Sequence, residues 1–209
     1  MANGRVITGY QNPMYGIRAN GGAGGKTATA LARGVDVSIS VDTADDIIFY
    51  ADNGAAETIS GYVSSGEISL TCDQLKDQVY ADLFGATATT GGGVIFSSTN
   101  TPAKATFGCI VRTMENGVNK WYCLVVPQVV FKVPEDAAAT QEEDIDFQTI
   151  TLEGTLYPDD GTAVSALSSD NHKGIWKVMS EEFDSESAAI TALSTAINTY
   201  SGYMATTNE

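Results

Sequence analysis

Between Val35 and Asp42 the chain reads VDVSISVD, with Val35, Val37, Ile39 and Val41 in strict alternation with Asp36, Ser38, Ser40 and Asp42. A period of two is the signature of a strand with one face in a core and the other in water, because successive side chains point to opposite sides of a sheet. This is the clearest half-buried strand in the sequence, and it commits the chain to building a sheet.

Short runs of the same kind follow. Ile47–Tyr50 precedes a turn at Asp52-Asn53-Gly54, and Thr58–Gly61 leads into a longer strand in which Ile68, Leu70 and Cys72 share one face. Gly91-Gly92-Gly93 opens a run over Val94–Phe96. Ala105–Arg112 and Lys120–Val126 form a hairpin turning near Glu115–Val118, its second strand extending over Gln128–Val133 until Pro134 stops it. A two-residue turn at Asn116-Gly117 would pair Arg112 with Trp121 and Cys109 with Leu124, placing Cys109 and Cys123 on opposite faces. A loop one residue longer or shorter would bring those two cysteines face to face. After an acidic, Ala-rich connection over Glu135–Asp144 comes DIDFQTITLEGTLYPDDG (Asp144–Gly161). The alternation of Ile145 and Phe147 changes phase at Ile150, Leu152 and Leu156, which predicts a bulge near Gln148-Thr149. Pro158-Asp159-Asp160-Gly161 reads as a turn, residues 162–172 as loop, and Gly174–Val178 as a last strand carrying Trp176.

Two helices interrupt the strands. Thr71-Cys72-Asp73-Gln74 fits a capping box, Leu75, Val79 and Leu83 make one apolar stripe, and Gly85 supplies a left-handed stop, giving a helix over Asp73–Phe84. Ile190, Leu193, Ile197 and Tyr200, with Asp184 or Ser185 as cap and Gly202 beyond, give a second helix over Asp184–Tyr200. Residues 1–34, punctuated by Gly4, Gly9, Asn12-Pro13, Gly16 and the run GGAGGKTATA, read as an extended arm and a flexible loop. The expected organisation is an arm and Gly-rich loop over 1–34, a β domain over 35–180 and a helical segment over 181–209. The class is mainly β, a β-rich α+β chain.

The balance of 26 acidic against 11 basic residues leaves a net charge of −15 over 209 residues. Such a surface repels phosphate, which argues against a sequence-reading DNA binder. It serves solubility, or a surface that must sit beside DNA without sticking; composition alone does not choose between the two. An odd count of cysteines (Cys72, Cys109, Cys123) in apolar settings fits buried reduced thiols, and no disulfide is expected. The sequence has no basic segment followed by an apolar run at its start and no 18-residue apolar stretch, so neither signal peptide nor membrane span is expected.

Catalytic chemistry finds few candidates. His172 stands alone in a polar loop and reads as a solvated side chain. Cys109 and Cys123 lie on a hairpin rather than in a zinc knuckle. The acidic pairs, such as Asp45-Asp46 and Glu181-Glu182, lack the spacing of a calcium loop. The stretch from Asn20 to Thr27 approaches a phosphate-binding loop, but Asn20 stands where the first glycine belongs and no parallel α/β pattern follows. No catalytic residue, cofactor or metal is therefore expected.

The ordered series VDVSISVD, GYVSSGEISL (Gly61–Leu70), YADLFG (Tyr80–Gly85), FQTITLEGTLYPDDG and the late Trp176 spans roughly 35–178 and resembles the major tail protein of long-tailed, non-contractile bacteriophages. That resemblance implies two packed antiparallel sheets forming a sandwich or half-barrel, with a helix packed outside and a C-terminal helix. It implies a homohexameric ring whose inner strands pool into one barrel, rings stacked into a hollow tube, and DNA ejection through it. It further implies tape-measure, tail-terminator and distal tail proteins as partners, a place in the virion tail after synthesis in the host cytoplasm, and no membrane binding. Six copies at −15 carry 90 negative charges per ring. Glu142, Glu143, Asp144 and Asp146 are the candidates for lumen-facing acids. The arm 1–34 and the connection Glu135–Asp144 are expected to order on assembly. The tube of a contractile injection or secretion system, or a non-tube acidic β sandwich of the binding or decoration kind, are the alternatives.

Overall fold

The computed structural model describes residues 4–18, 27–51, 54–59, 61–136, 148–159 and 174–199. Glu142, Glu143, Asp144, Asp146, His172 and the Gly-rich run from Asn20 to Lys26 lie outside the described residues.

The fold is mainly β and antiparallel. Its strands are β1 (Val6–Ile17), β2 (Thr29–Ala30), β3 (Gly34–Thr43), β4 (Ile47–Ala51), β5 (Gly54–Ile59), β6 (Val63–Cys72), β7 (Thr87–Ala88), β8 (Val94–Ile95), β9 (Lys104–Glu115), β10 (Val118–Phe131), β11 (Ile150–Tyr157) and β12 (Val178–Met179). Two helices, α1 (Asp77–Phe84) and α2 (Glu186–Thr199), accompany them. The main sheet runs β2-β1-β9-β10-β11-β6-β3, with β12 also paired to β10, and β4-β5 and β7-β8 form separate hairpins. The sheet curls into a half-barrel: β1 packs across against β3, and a Cβ on Gly34 would lie only 2.1 Å from the Tyr10 ring.

Two apolar clusters lie on the two sides of β9 and β10. The larger joins Tyr15, Ile68, Leu70, Phe107, Phe131 and Leu152 with the α1 residues Val79, Leu83 and Phe84. The smaller sits under α2, where Leu193 and Ile197 cover Ile110, Cys123 and Val125. The central strand β9 is therefore buried on both faces from Ala105 to Val111, as a strand covered on both sides must be. Gly108 leaves room for that helix, since a Cβ there would meet Leu193 Cδ1 at 2.6 Å.

The β9–β10 register is the one set by an Asn-Gly turn: Arg112 faces Trp121, Cys109 faces Leu124, and Asn116 and Gly117 have φ of 51° and 82°. Cys109 and Cys123 accordingly point into different clusters, and all three cysteines are free and buried. Gly85 ends α1 with φ 67°. Ser185 caps α2 through its Oγ, which accepts from Ala188 N at 3.3 Å.

Several expectations are corrected. Residues 6–17, expected as part of an irregular arm, form a strand paired with β9 along its length. The capping box at Thr71–Gln74 does not form: Thr71 and Cys72 are held in β6, whose Cys72 is opposite both Gly34 and Ile150, so the helix starts only after Lys76. Asp73 instead accepts hydrogen bonds from the backbone and side chain of Arg33, which hold its carboxyl below the usual range. Val35 is 61% exposed because the β3–β6 register shifts between Gly34 and Asp36. β11 begins at Ile150 and pairs with β6 without a shift, Gln148 and Thr149 preceding the strand; Ile145 and Phe147, on which the expected bulge rests, lie outside the described residues. A bulge lies instead at Pro127-Gln128, where β10 lacks a donor. There β10 changes neighbours, pairing β12 through Leu124 and Val125 and β11 from Gln128 onward. β10 itself ends at Phe131, and β8 at Ile95. The strand expected over Gly174–Val178 is only Val178–Met179. Ile190 faces outward, the α2 stripe being Ala189, Leu193, Ala196 and Ile197. Asp159, expected in a turn, is buried.

Candidate functional site

The alternation that half-buries Val37, Ile39 and Val41 against the core leaves the other half of β3 facing water, and its neighbours repeat the pattern. Leu70 lies between Val37 and Leu152, and Ile68 between Ile39 and Gly154. One residue out of phase, Asp36 is level with Thr71 and Thr151, Ser38 with Ser69 and Glu153, and Ser40 with Glu67 and Thr155; Asp42 is level with Ser65. The outward side of β3-β6-β11 is therefore a continuous field of hydroxyls and carboxylates on the side opposite α1.

Its four acids, Asp36, Asp42, Glu67 and Glu153, are staggered so that none faces another directly across a strand pair. Like charges directly opposite would destabilise the sheet, and serine or threonine partners avoid that while keeping the field negative. The strand rows contain no Lys or Arg; Lys132, just beyond β10, approaches Glu153 at 3.6 Å.

The outer edges of β3 and of most of β1 are hydrogen-bonded to no described strand, although the two strands approach each other where Tyr10 packs on Gly34. β3 pairs only with β6 along ten residues, and it contains neither Lys nor Pro, the residues that ordinarily blunt an edge. At the other end β2 covers β1 only at Met14 and Tyr15, leaving the outer edge of Val6–Asn12 without a described partner strand.

The β4-β5 hairpin continues the β3-β6 ribbon outward. Ala44 N donates to Tyr62 O at 2.9 Å and Gly61 N to the Asp46 carboxylate at 2.7 Å, which fix its base. Past the other end of β6, α1 and the segment after β8 frame a groove of about 390 Å³. Tyr80, Phe84, Phe96, Pro102, Val133 and Pro134 give its apolar walls. Tyr80 packs tilted against Phe84 at 5.9 Å and meets Phe96 edge-on at 5.7 Å. The Asn100 amide nitrogen is buried in this groove's lining without a hydrogen-bond partner.

One buried ion pair knits the fold. Arg18 Nη2 meets Asp159 Oδ1 at 2.9 Å with side chains 2% and 0% exposed, and Arg18 Nη1 donates to Pro127 O at 2.9 Å. It ties the end of β1 to the β10 bulge and to the end of β11. Burial also raises the Cys72 thiol to about 11 and pushes the Cys109 thiol higher still. Such thiols are inert rather than nucleophilic.

Among the described residues no group of three His, Cys, Asp or Glu is placed to hold a metal ion, and no helix is long and apolar enough to cross a membrane. The structure thus brings together acids that sequence reasoning passed over as half of a strand pattern. The strand pairing that aligns them was the missing signal. No family model and no curated protein matches the chain.

Proposed function

We propose that this chain is the structural subunit of a phage tail tube, assembling through copies of itself into stacked hexameric rings whose acidic lumen lets DNA pass to the host. The observation that carries this reading is the hydroxyl-and-carboxylate face of β3-β6-β11, backed by the core and α1, in a sheet whose terminal strands β3 and β1 have outer edges hydrogen-bonded to no described strand for most of their length. Strand edges that no described strand hydrogen-bonds suit head-to-tail pairing of copies, which closes a barrel and removes edges that would otherwise aggregate. In such a ring the polar face lines the channel and α1 lies outside.

Asp36, Asp42, Glu67 and Glu153 then present charge to the phosphate backbone, alongside the loop acids Glu142, Glu143, Asp144 and Asp146 proposed from the sequence. Repulsion reaches about 8 Å at physiological salt, enough to keep a duplex off the wall of a narrow channel. Hydroxyls between the acids keep the wall wet and offer no apolar surface on which bases could stack. The partners are the tape-measure, tail-terminator and distal tail proteins, and the protein's place is the virion tail.

Negative-stain microscopy of the purified protein over a concentration series tests the reading. Rings or hollow tubes are expected; monomers persisting at high concentration would refute it.

A further inference from the structure

The aromatic groove beside α1 shares no residue with the polar face of β3-β6-β11, so what it binds is a separate question from the channel wall. Its volume of about 390 Å³ lies at the small end of ligand sites, room for one long side chain and the backbone that carries it. Two of its rings are spent largely on the fold, Phe84 being fully enclosed and Tyr80 nearly so. Phe96 is different: it meets Tyr80 edge-on, yet 48% of its surface stays in water.

Two polar groups of the lining complete the pattern. The Asn100 amide nitrogen is buried there without an acceptor, so a ligand that brings a carbonyl satisfies a donor the fold leaves open. Asp136 supplies a carboxylate, and the lining contains no Lys or Arg. Burial first, and then the charge of Asp136, raise the Tyr80 phenol above its usual value, so the carboxylate is felt at the ring wall. Ring faces and a carboxylate both attract positive charge, which selects a cation. Arginine suits such a wall better than lysine, because its planar guanidinium stacks on rings, is weakly hydrated and forks onto a carboxylate.

We propose that this groove docks an arginine-bearing segment of another protein, with the guanidinium against Phe96 and Tyr80 and reaching Asp136, and a backbone carbonyl of the segment accepting from Asn100 Nδ2. An apolar segment would cover the walls but gain nothing from Asp136. The net charge of −15 steers a basic partner toward the chain, and the groove gives it one place to seat.

The test is saturation-transfer NMR on micromolar protein with acetyl-Gly-Arg-Gly-amide and its citrulline analogue, which keeps the shape and lacks the charge. The arginine peptide is expected to bind about tenfold tighter, an advantage that shrinks at 1 M salt, where screening shortens to about 3 Å. Phe96 and Asp136 are exposed, so Phe96→Leu and Asp136→Asn should leave the thermal melt unchanged. Each should cut the preference for arginine to about threefold or less. Asn100→Ala should weaken both peptides alike, because both carry the carbonyl that Asn100 holds. Equal binding of the two peptides, or no binding at millimolar concentration, would overturn the inference. So would an arginine preference that survives both substitutions, since that is attraction to the acidic surface at large. The outcome stands apart from the tube reading, which rings or monomers under the microscope decide.

Discussion

Removing either member of the Arg18–Asp159 pair should be among the most destabilising single changes in the chain. Both side chains are almost wholly enclosed, and their 2.9 Å contact sits beside the Pro127 carbonyl, which also accepts from Thr106 Oγ1 at 2.9 Å. Breaking a buried pair from one side costs about 3–5 kcal/mol, because the surviving charge stays buried with fewer partners. For a domain of this size that corresponds to a fall in melting temperature of roughly 6–20 °C. Replacing both members by apolar residues removes the charge problem along with the contact, so Arg18→Met/Asp159→Leu should cost much less than the two single changes added together. Urea unfolding of Arg18→Met, Asp159→Leu and the double variant, at concentrations too low for assembly, gives the cycle; unchanged slopes license comparison of the midpoints. Single losses below about 1 kcal/mol that simply add in the double variant would show that the pair does not hold β1 to the β10 bulge as argued.

Val79, 2% exposed under α1, should not tolerate Val79→Asp: an unpaired carboxylate there costs several kcal/mol, and an unchanged thermal melt would show that α1 does not cover the sheet. Gly66→Ala would place a Cβ 2.3 Å from the Ser40 carbonyl, so it should loosen β3 from β6 and speed amide exchange in Val37–Val41, whereas unaltered exchange would contradict the packing. Because burial raises the Cys72 thiol to about 11, the folded state keeps its proton where the unfolded chain has lost it. That contribution is fully present below pH about 9 and is lost as pH rises toward 11, so unfolding free energy should fall over this window, and less steeply in Cys72→Ala. Equal slopes in the two proteins would argue against a buried Cys72.

What the sequence carried openly was local chemistry. The alternation of Val37–Val41 and of Ile68–Cys72, the Asn116-Gly117 turn and the Gly85 stop each rest on neighbouring residues, and each stands in the structure. The strand β1 was illegible because its register shifts twice, between Ile7 and Gly9 and between Gln11 and Met14, and these shifts break the period that marks a strand. Pro13 and Pro127 look like breakers and sit within strands beside such irregularities. The start of α1 was misplaced because pairing on both sides of β6 overrode a plausible cap. Burial of Asp159 could not be read locally, since its partner lies 141 residues away. The acids of the candidate site were visible individually, but only the side-by-side order of β3, β6 and β11 makes them one surface.

A cryo-electron microscopy map of the assembled protein tests the central claim most directly. The account predicts a hollow ring whose channel wall is the outward face of β3-β6-β11, with Asp36, Asp42, Glu67 and Glu153 pointing into the lumen and α1 on the outside. A ring with α1 lining the channel, or with those four carboxylates on the outer surface, would contradict it.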